Sequence, residues 1–393
     1  MPEGGGHTSR LKTLVQSLVV AGHHVEVWSE HGLGNVAESL QQAHGEIGGA
    51  RYEYVLGTTA RGTGLGMIGT KWKAVRVMAR RLRELNQRGA VDVLWFNHVF
   101  FYDMYPLTRL ARRLGIRTVQ SYEDEYLDLV TTGPKSLTQQ IVAWDARLAN
   151  RYCPPQADAI VAISEYLRDK YARMIGVPAK VHLVPTIVDC GQWAAGDELA
   201  TDCPVLLYAG TFGEQDEMKM LLDAFVILRK EGQKFRVVML GGNARGQGPE
   251  VLVRRRVAEL GLAGIVEMRG FVPLAEVRRQ VAQSHILLNI RRDGPWGRSG
   301  LSTKLSEYLA AGRLVVTTAI GDVTRYAQDG VSAIVLPVTP TVEEIATAIR
   351  RALTEPERRR AIGAAGQAAA RRFFDVPVAA RMLNEMLTTV VQQ

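Results

Sequence analysis

The chain has 393 residues, of which 47% are hydrophobic and 22% charged, and its formal net charge is +8. At about 150 residues per domain, this length predicts two or three domains that can each bury a core. No apolar run approaches the ~20 residues of a membrane-spanning helix, and the positive charge is spread over both halves of the chain, which argues against nucleic-acid binding.

The first half of the chain alternates between predicted strands and helices. The predicted strands are HHVEVWS (23–29), RYEYVL (51–56), VDVLWFN (91–97), RTVQSY (117–122), AIVAIS (159–164) and KVHLVP (180–185). The predicted helices cover 9–21, 71–88, 105–114, 136–152 and 165–174. Short apolar strands that alternate with helices indicate a parallel sheet covered on both faces.

The same alternation occurs again in the second half. Its predicted strands are PVLLYAG (204–210), FRVVMLG (235–241), IVEMRGF (265–271), HILLNI (285–290), LVVTT (314–318) and SAIVLP (332–337). The polar segment 189–203 between the two halves is predicted to be a hinge. We therefore predict two doubly wound α/β domains, 1–188 and 204–374, with a C-terminal helix near 375–393 completing the first.

Three cysteines, Cys153, Cys190 and Cys203, are odd in number and lack the spacing of a metal site. They favour a reducing compartment without a disulfide framework. The first ten residues do not show the basic segment followed by an apolar one that is typical of a secretory signal. These features predict a cytoplasmic protein.

Glycine-containing loops follow several predicted strands or precede a helix, at the edge where doubly wound folds bind ligands. The loop 2–10 opens the first predicted helix, and three more loops follow strands of the second domain. Any one of them could be an ordinary tight turn, but their recurrence favours a ligand whose binding requires close backbone approach. The candidate residues in these loops are Gly5, Gly6, Gly210, Thr211, Gly242 and Phe271.

The segment LSTKLSEYLAAGRLVVTT (301–318) is predicted to be a short helix followed by a buried strand, with Ser302 or Thr303 as N-cap. Lys304 then lies in the first turn, where a cation opposes the helix dipole, so replacing it with Ala should stabilise the helix slightly. One interpretation is that Lys304 binds a diphosphate and Glu307, on the same face, accepts hydrogen bonds from sugar hydroxyls. The alternative is an exposed Lys–Glu ion pair.

The order of these motifs resembles glycosyltransferases with the GT-B fold, and family 4 in particular. The stretches VLLYAGTF, VVMLGG, IVEMRGFVP and KLSEYLAAGRLVVTT follow the donor-binding domain of that family, while GHHVEVWSE, ADAIVAIS and VHLVPTIVD match its first domain and crossover. The resemblance implies two Rossmann-like domains facing a cleft. It also implies retaining transfer from a nucleotide-sugar donor to a glycan or lipid-linked acceptor, without cofactor or metal, as in bacterial surface polysaccharide or glycolipid assembly.

The sequence departs from the family at three positions of the donor domain. A glutamate usually precedes Glu307 by eight residues, and Ser299 stands there instead. The family's Arg and Lys after the first strand of this domain are replaced by Thr211 and Asp216. Arg298 and Lys304 are the candidates to supply the missing positive charge.

On the acceptor side, His98 follows the predicted strand VDVLWFN and is a candidate catalytic residue, although a lone histidine is more often structural. Glu123 follows RTVQSY where the family often has a histidine, and it is the second catalytic candidate.

The predicted helix 71–88 is basic and amphipathic. It fits either an ordinary helix of an α/β domain with a solvated basic face or a surface that docks on anionic lipid at the inner face of the cytoplasmic membrane.

The first domain lacks an apolar strand before its glycine loop, because only Met1 precedes PEGGGHTSR. We therefore expect that its central first strand is missing through a misplaced start site or a truncation, and that restoring upstream codons improves expression. The alternative is that another segment of the chain fills the gap. Two rival functions stay open: a nucleotide-sugar 2-epimerase of the same fold, and a catalytically degenerate partner subunit. Product analysis on a nucleotide sugar alone would separate the epimerase from transfer, and donor hydrolysis or transfer would exclude the degenerate subunit.

Overall fold

A computed structural model describes residues 6–30, 42–59, 64–124, 137–196, 198, 200–213, 215–242 and 248–392. The chain divides into two units, with residues 186–378 in one and the remaining described residues in the other. The strands are β1 (Glu26–Ser29), β2 (His44–Ile47), β3 (Ala50–Tyr54), β4 (Val93–Phe96), β5 (Arg117–Tyr122), β6 (Ala159–Ala162), β7 (Val181–Leu183), β8 (Val205–Gly210), β9 (Arg236–Gly241), β10 (Val266–Gly270), β11 (Ile286–Asn289), β12 (Leu314–Thr318) and β13 (Ile334–Leu336).

Helices separate most of these strands along the chain. They are α1 (Gly6–Val20), α2 (Gly64–Gln87), α3 (Phe101–Arg113), α4 (Leu137–Tyr152), α5 (Glu165–Ile175), α6 (Cys190–Trp193), α7 (Met218–Lys230), α8 (Glu250–Glu259), α9 (Leu274–Gln283), α10 (Pro295–Ser299), α11 (Thr303–Ala310), α12 (Val323–Tyr326), α13 (Val342–Thr354), α14 (Pro356–Phe373) and α15 (Val376–Gln392). Within the described ranges, no helix is long and apolar enough to cross a membrane.

The second unit is built on a six-stranded parallel sheet in the order β10-β9-β8-β11-β12-β13. Its continuous apolar strands are buried on both faces, and Leu206, Val237, Leu288 and Val316 have no exposed surface. The chain runs from β8 outward through β9 and β10, and then outward on the other side from β11. The strand order therefore reverses between β8 and β11, which is the point where doubly wound sheets bind ligands.

The first unit contains a four-stranded parallel sheet, β4-β5-β6-β7, and a separate three-stranded sheet, β1-β3-β2. The strand β2 pairs antiparallel with β3 through a two-residue turn at Gly48 and Gly49, whose φ angles are 58° and 85°. The strand β2 could not be predicted from the sequence, because HGEI is short and polar. The adjacent Gly48-Gly49 pair was the feature of the sequence that could have indicated a β-hairpin here.

The six strands predicted in the second half are all present, each within two residues of its predicted ends. Two Rossmann-like α/β units are thus confirmed. The predicted hinge 189–203 falls inside the second unit, and α15 contributes residues 379–392 to the first. The expectation of a missing first strand concerns the start of the chain, where residues 1–5 lie outside the described part, so it stays a prediction.

Candidate functional site

The helix α11 begins close to the reversal point of the second sheet and carries Lys304 and Glu307. Ser302 occupies its N-cap position, but its side chain does not cap the helix and its hydroxyl instead lies 3.3 Å from Oδ1 of Asn289 at the end of β11. Since no side chain caps the first turn, its N–H groups can donate to an anionic ligand.

Lys304 forms a buried ion pair with Asp216. The Lys304 Nζ lies 2.8 Å from Asp216 Oδ1, and the two side chains are 18% and 1% exposed. The hydroxyl of Tyr208 donates to the other oxygen of Asp216 at 2.6 Å, and the Lys304 ammonium lies 4.6 Å from the centre of the Tyr208 ring. The predicted alternative, an exposed pair with Glu307, is wrong, because the partner of Lys304 is a buried carboxylate 88 residues away.

Two loops that meet at the edge of the sheet hold Asp216 in place. Arg292 N–H donates to Gln215 O at 2.8 Å and Glu217 N–H donates to Ile290 O at 3.1 Å. Asp216 and Arg291 thereby face each other across an antiparallel bridge.

The charge around Lys304 changes its acidity. Burial lowers the pKa of Lys304, the carboxylate of Asp216 opposes that effect, and the nearby charge of Arg291 lowers the pKa further. Arg291 is thus a second cation beside Lys304 that the sequence analysis missed. Arg298, the predicted second cation, is 64% exposed and pairs with Asp293 at 2.6 Å, so its diphosphate role stays a prediction.

The glycine loops pack tightly around this pair. A Cβ on Gly210 would lie 2.4 Å from the Tyr208 hydroxyl and 3.0 Å from Lys304 Nζ. Gly242 has a φ of 95° and donates its N–H to Gly210 O at 2.9 Å. Glycine at position 210 therefore leaves room for the Lys304 ammonium. This packing requirement explains a glycine there, whereas the sequence suggested that Gly210 binds a ligand.

The other predicted loop residues are less constrained. Thr211 is exposed, and Phe271 is 58% exposed after β10. Gly6 opens α1, whereas Gly5 lies outside the described residues. Phe212, next to Thr211, is buried with a φ of 56°, a conformation that a bulky residue rarely adopts outside functional sites.

Glu307 lies one turn after Lys304 and is partly buried. Burial raises the pKa of its carboxyl to about 8, and the charges of Arg278 and Lys304 only partly offset this. Next to it, Tyr308 is fully buried and its hydroxyl accepts the Ala209 N–H at 2.8 Å, which ties α11 to the end of β8. The influence of Arg278 was not predicted, because it comes from α9, a different element.

In the first unit, His98 forms a close pair with Asp103 after β4. His98 Nε2 lies 2.6 Å from Asp103 Oδ2, and the side chains are 37% and 3% exposed. Because a carboxylate can only accept, the Nε2 carries a proton and Nδ1 is the basic nitrogen of the neutral ring. A buried carboxylate that orients a partly exposed imidazole is the arrangement of a general base.

Glu123, the second catalytic candidate, is buried against α1. Its Oε1 lies 2.7 Å from Arg10 Nε, and the side chains are 9% and 6% exposed. This ion pair joins the loop after β5 to α1 and supports a structural role for Glu123. The catalytic role that the sequence suggested for Glu123 is not tested by this geometry, and the Gln variant decides between the two roles.

Glu123→Gln is expected to lower the free energy of unfolding by about 1.5–3 kcal/mol, because glutamine keeps an acceptor for Arg10 but loses the charge. Urea unfolding measures this change. Transfer activity per folded molecule should be retained, and a variant of parental stability that loses turnover would instead assign Glu123 to catalysis.

The fold is similar to known structures over nearly the whole chain. Sucrose-phosphate synthase from Thermosynechococcus elongatus matches with a TM-score of 0.74 at 16% identity, covering 100% of this chain and 95% of that one. The HepE protein of Anabaena, solved with UDP-glucose, matches with a TM-score of 0.70 at 15% identity, covering 99% and 97%.

Two family models match the sequence. Residues 4–192 match the model of Glycosyltransferase Family 4, and residues 203–355 match the model of Glycosyl transferases group 1. The chain is a GT-B glycosyltransferase of the family 4 type.

Two curated relatives of this glycosyltransferase have stated activities. A GDP-mannose-dependent α-(1-6)-phosphatidylinositol monomannoside mannosyltransferase of Mycolicibacterium smegmatis is 25% identical over 306 residues, covering 74% of each chain. An α-D-kanosaminyltransferase of Streptomyces kanamyceticus is 25% identical over 267 residues, covering 65% of this chain and 66% of the relative. The predicted resemblance is confirmed at the level of family.

Proposed function

We propose that this glycosyltransferase transfers a sugar from a nucleotide-sugar donor to a glycan or lipid-linked acceptor, with retention of configuration and without a metal, in bacterial surface polysaccharide or glycolipid assembly. The observation that carries the proposal is the placement of Lys304 and Glu307 on the uncapped start of α11, at the reversal point of the second sheet. The UDP-glucose complex of HepE and the GDP-mannose dependence of the mycobacterial relative support a nucleotide-sugar donor.

In this proposal each group of the donor has its own partner. Lys304, Arg298 and the N–H groups of Thr303 and Lys304 hold the diphosphate and stabilise the charge that develops on it as it leaves. Glu307 accepts hydrogen bonds from two ribose hydroxyls. Further donor contacts come from the second unit's loop residues Gly210, Thr211, Gly242, Phe271 and Ser302. Gly5 and Gly6 stay donor-binding candidates predicted from the sequence.

A panel of UDP-, GDP-, ADP- and TDP-sugars in a thermal-shift assay tests the donor class. NMR of the transfer product then gives the anomeric configuration, and EDTA in the same assay tests metal independence. No shift with any donor would contradict the proposal. Isomerised nucleotide sugar without acceptor would indicate a 2-epimerase, and binding without transfer or hydrolysis would indicate a degenerate partner subunit.

His98→Gln is expected to lower the turnover rate by about 100-fold or more, with unchanged donor affinity, because His98 takes or positions the acceptor proton. Burial alone would lower the pKa of His98, but the carboxylates of Asp103 and then Glu30 raise it overall. Since a base must be neutral, kcat/KM should rise as the pH passes through this raised pKa. Asp103→Asn should move that rise to lower pH, and an unchanged profile would exclude His98 as the base.

The helix α2 covers residues 71–87 of the predicted basic segment 71–88, and Trp72 is its one large hydrophobic side chain among the described residues that is more than 40% exposed. Val75 and Leu82 on the apolar face of this helix are 5% and 2% exposed, so most of that face packs inside the protein. Lys73, Arg76 and Arg83 are exposed on the outer face. Contact of this basic face with the inner surface of the membrane stays part of the proposal.

A further inference from the structure

The outer face of α4 is apolar over three turns. Ile141, Trp144 and Tyr152 are 51%, 63% and 45% exposed, and the partly buried Leu148 lies on the same face at helical spacing. The opposite face packs inward through Ala143, Ala146, Ala149 and Asn150. Within the described part of the helix this ridge is open to solvent, and an exposed apolar row of this kind marks an interaction surface.

The exposed charge on this helix is entirely positive. Its charged residues are Asp145, Arg147 and Arg151. Asp145 turns inward and accepts the N–H groups of Phe101 at 2.8 Å and Tyr102 at 3.1 Å. The ridge is therefore flanked by two exposed guanidinium groups and by no exposed carboxylate of its own helix.

Aromatic rings and arginines continue the surface onto α3. The ring of Phe101 lies 6.1 Å from that of Tyr152 and stacks on Tyr105 at 4.7 Å. Arg151 lies 5.6 Å from the Tyr152 ring, and Arg109 lies 5.7 Å from the Tyr105 ring. Tyrosine, tryptophan and arginine together are the side chains that settle at a lipid headgroup interface, with the rings in the acyl boundary and the cations at phosphates.

We propose that the α4 ridge (Ile141, Trp144, Leu148 and Tyr152, with Arg147 and Arg151) docks on an anionic phospholipid bilayer. The positive rim is complementary to anionic headgroups. A second copy of the chain is a poorer occupant, because a two-fold contact would bring the same arginines against each other. The inference does not rest on the transfer chemistry, and it places the apolar lipid contact on α4, a different helix from the basic α2.

Co-sedimentation of the full chain with vesicles tests the ridge. The parent should bind vesicles of phosphatidylcholine mixed with phosphatidylglycerol and bind pure phosphatidylcholine much less. Arg147→Gln with Arg151→Gln should weaken binding to the mixed vesicles by roughly 25-fold at low salt, since each basic side chain contributes about fivefold. Ile141→Ser with Trp144→Ser should weaken binding to the mixed vesicles by about tenfold or more at any salt concentration.

The matched control is Leu252→Ser, which removes a leucine of α8 that is 69% exposed and lies in the second unit, and it should leave binding unchanged. All the substituted side chains are exposed, so far-UV circular dichroism and Tm should match the parent. Parental binding by both α4 variants, with loss only on neutralising Arg76, Arg80 and Arg83 of α2, would overturn the proposal. So would a parent that ignores anionic vesicles, or a dimer in light scattering that the Ile141/Trp144 variant abolishes.

Discussion

Lys304→Ala is expected to lower the free energy of unfolding of the second unit by about 3–5 kcal/mol. The substitution leaves the Asp216 carboxylate, which is 1% exposed, without its ammonium partner and with the Tyr208 hydroxyl as its remaining donor. Removing a cation from the first turn of α11 returns at most about 1 kcal/mol of dipole energy. The buried pair outweighs the helix dipole, so we now expect the opposite of the slight stabilisation predicted from the sequence.

Urea unfolding of three variants separates these contributions. Lys304→Met combined with Asp216→Asn removes both charges and should recover most of the lost stability. Arg298→Ala is the matched surface control, since its side chain is 64% exposed, and it should stay within about 0.5 kcal/mol of the parent. A Lys304→Ala protein as stable as its parent would show that Asp216 does not need the ammonium.

The same variant reports on the ligand. In calorimetry, Lys304→Ala should weaken nucleoside diphosphates more than the corresponding nucleosides, because only the former carry the charge that Lys304 binds. Equal weakening of both ligands would remove Lys304 from the phosphate site.

Glu307→Gln is expected to weaken donor binding by about 10- to 100-fold, because a carboxylate can accept from two ribose hydroxyls while an amide offers one oxygen. Burial raises the pKa of Glu307 to about 8, so the parent holds a neutral acid at pH 7. As the pH rises toward 8 and the carboxylate forms, the donor affinity of the parent should increase by up to about tenfold per pH unit.

Stability should respond in the opposite sense. The folded pKa of Glu307 lies above its unfolded value, so its contribution is full below about pH 4.5 and is lost as the pH rises to about 8. Glu307→Gln has no carboxylate to ionise at this position. The Tm of the variant minus the Tm of the parent should therefore increase from about pH 4.5 to about pH 8 and then level off.

Calorimetry in two buffers of different ionisation enthalpy checks the assignment. The parent should release a proton when it binds the donor below pH 8, and the Gln variant should release none. Glu357→Gln, at a side chain that is 89% exposed, is the control and should change neither quantity. Identical donor affinity and identical pH dependence in parent and Glu307→Gln would place Glu307 outside the site.

Local patterns in the sequence were enough to predict most of the architecture. Continuous apolar runs such as LVVTT located the strands, and the three-residue spacing of Lys304 and Glu307 correctly placed both on α11. The hairpin strand β2 escaped prediction, because its polar residues show neither an apolar run nor an alternation.

Partners distant in sequence could not be predicted, because spacing carries no information about them. Asp216 was interpreted as a lost phosphate ligand, whereas it is the carboxylate that holds Lys304. Glu123 pairs with Arg10, which lies on another element. Periodicity also cannot distinguish an apolar helix face that packs against the core from one that is exposed to water. A lipid-docking surface was therefore predicted on α2, whereas the exposed apolar ridge of α4 was not predicted.

The Lys304–Asp216 pair also bears on how quickly a product can depart. In a pocket that held no other anion, release of the diphosphate would leave the Lys304 ammonium without a counter-charge. The barrier to dissociation would then include rehydration of that ammonium. Here the carboxylate of Asp216 lies 2.8 Å from the nitrogen, so the ammonium has an anion beside it whether or not a diphosphate is bound. Departure of the diphosphate therefore leaves the Lys304 ammonium still paired with Asp216, which favours short residence times for the spent nucleotide.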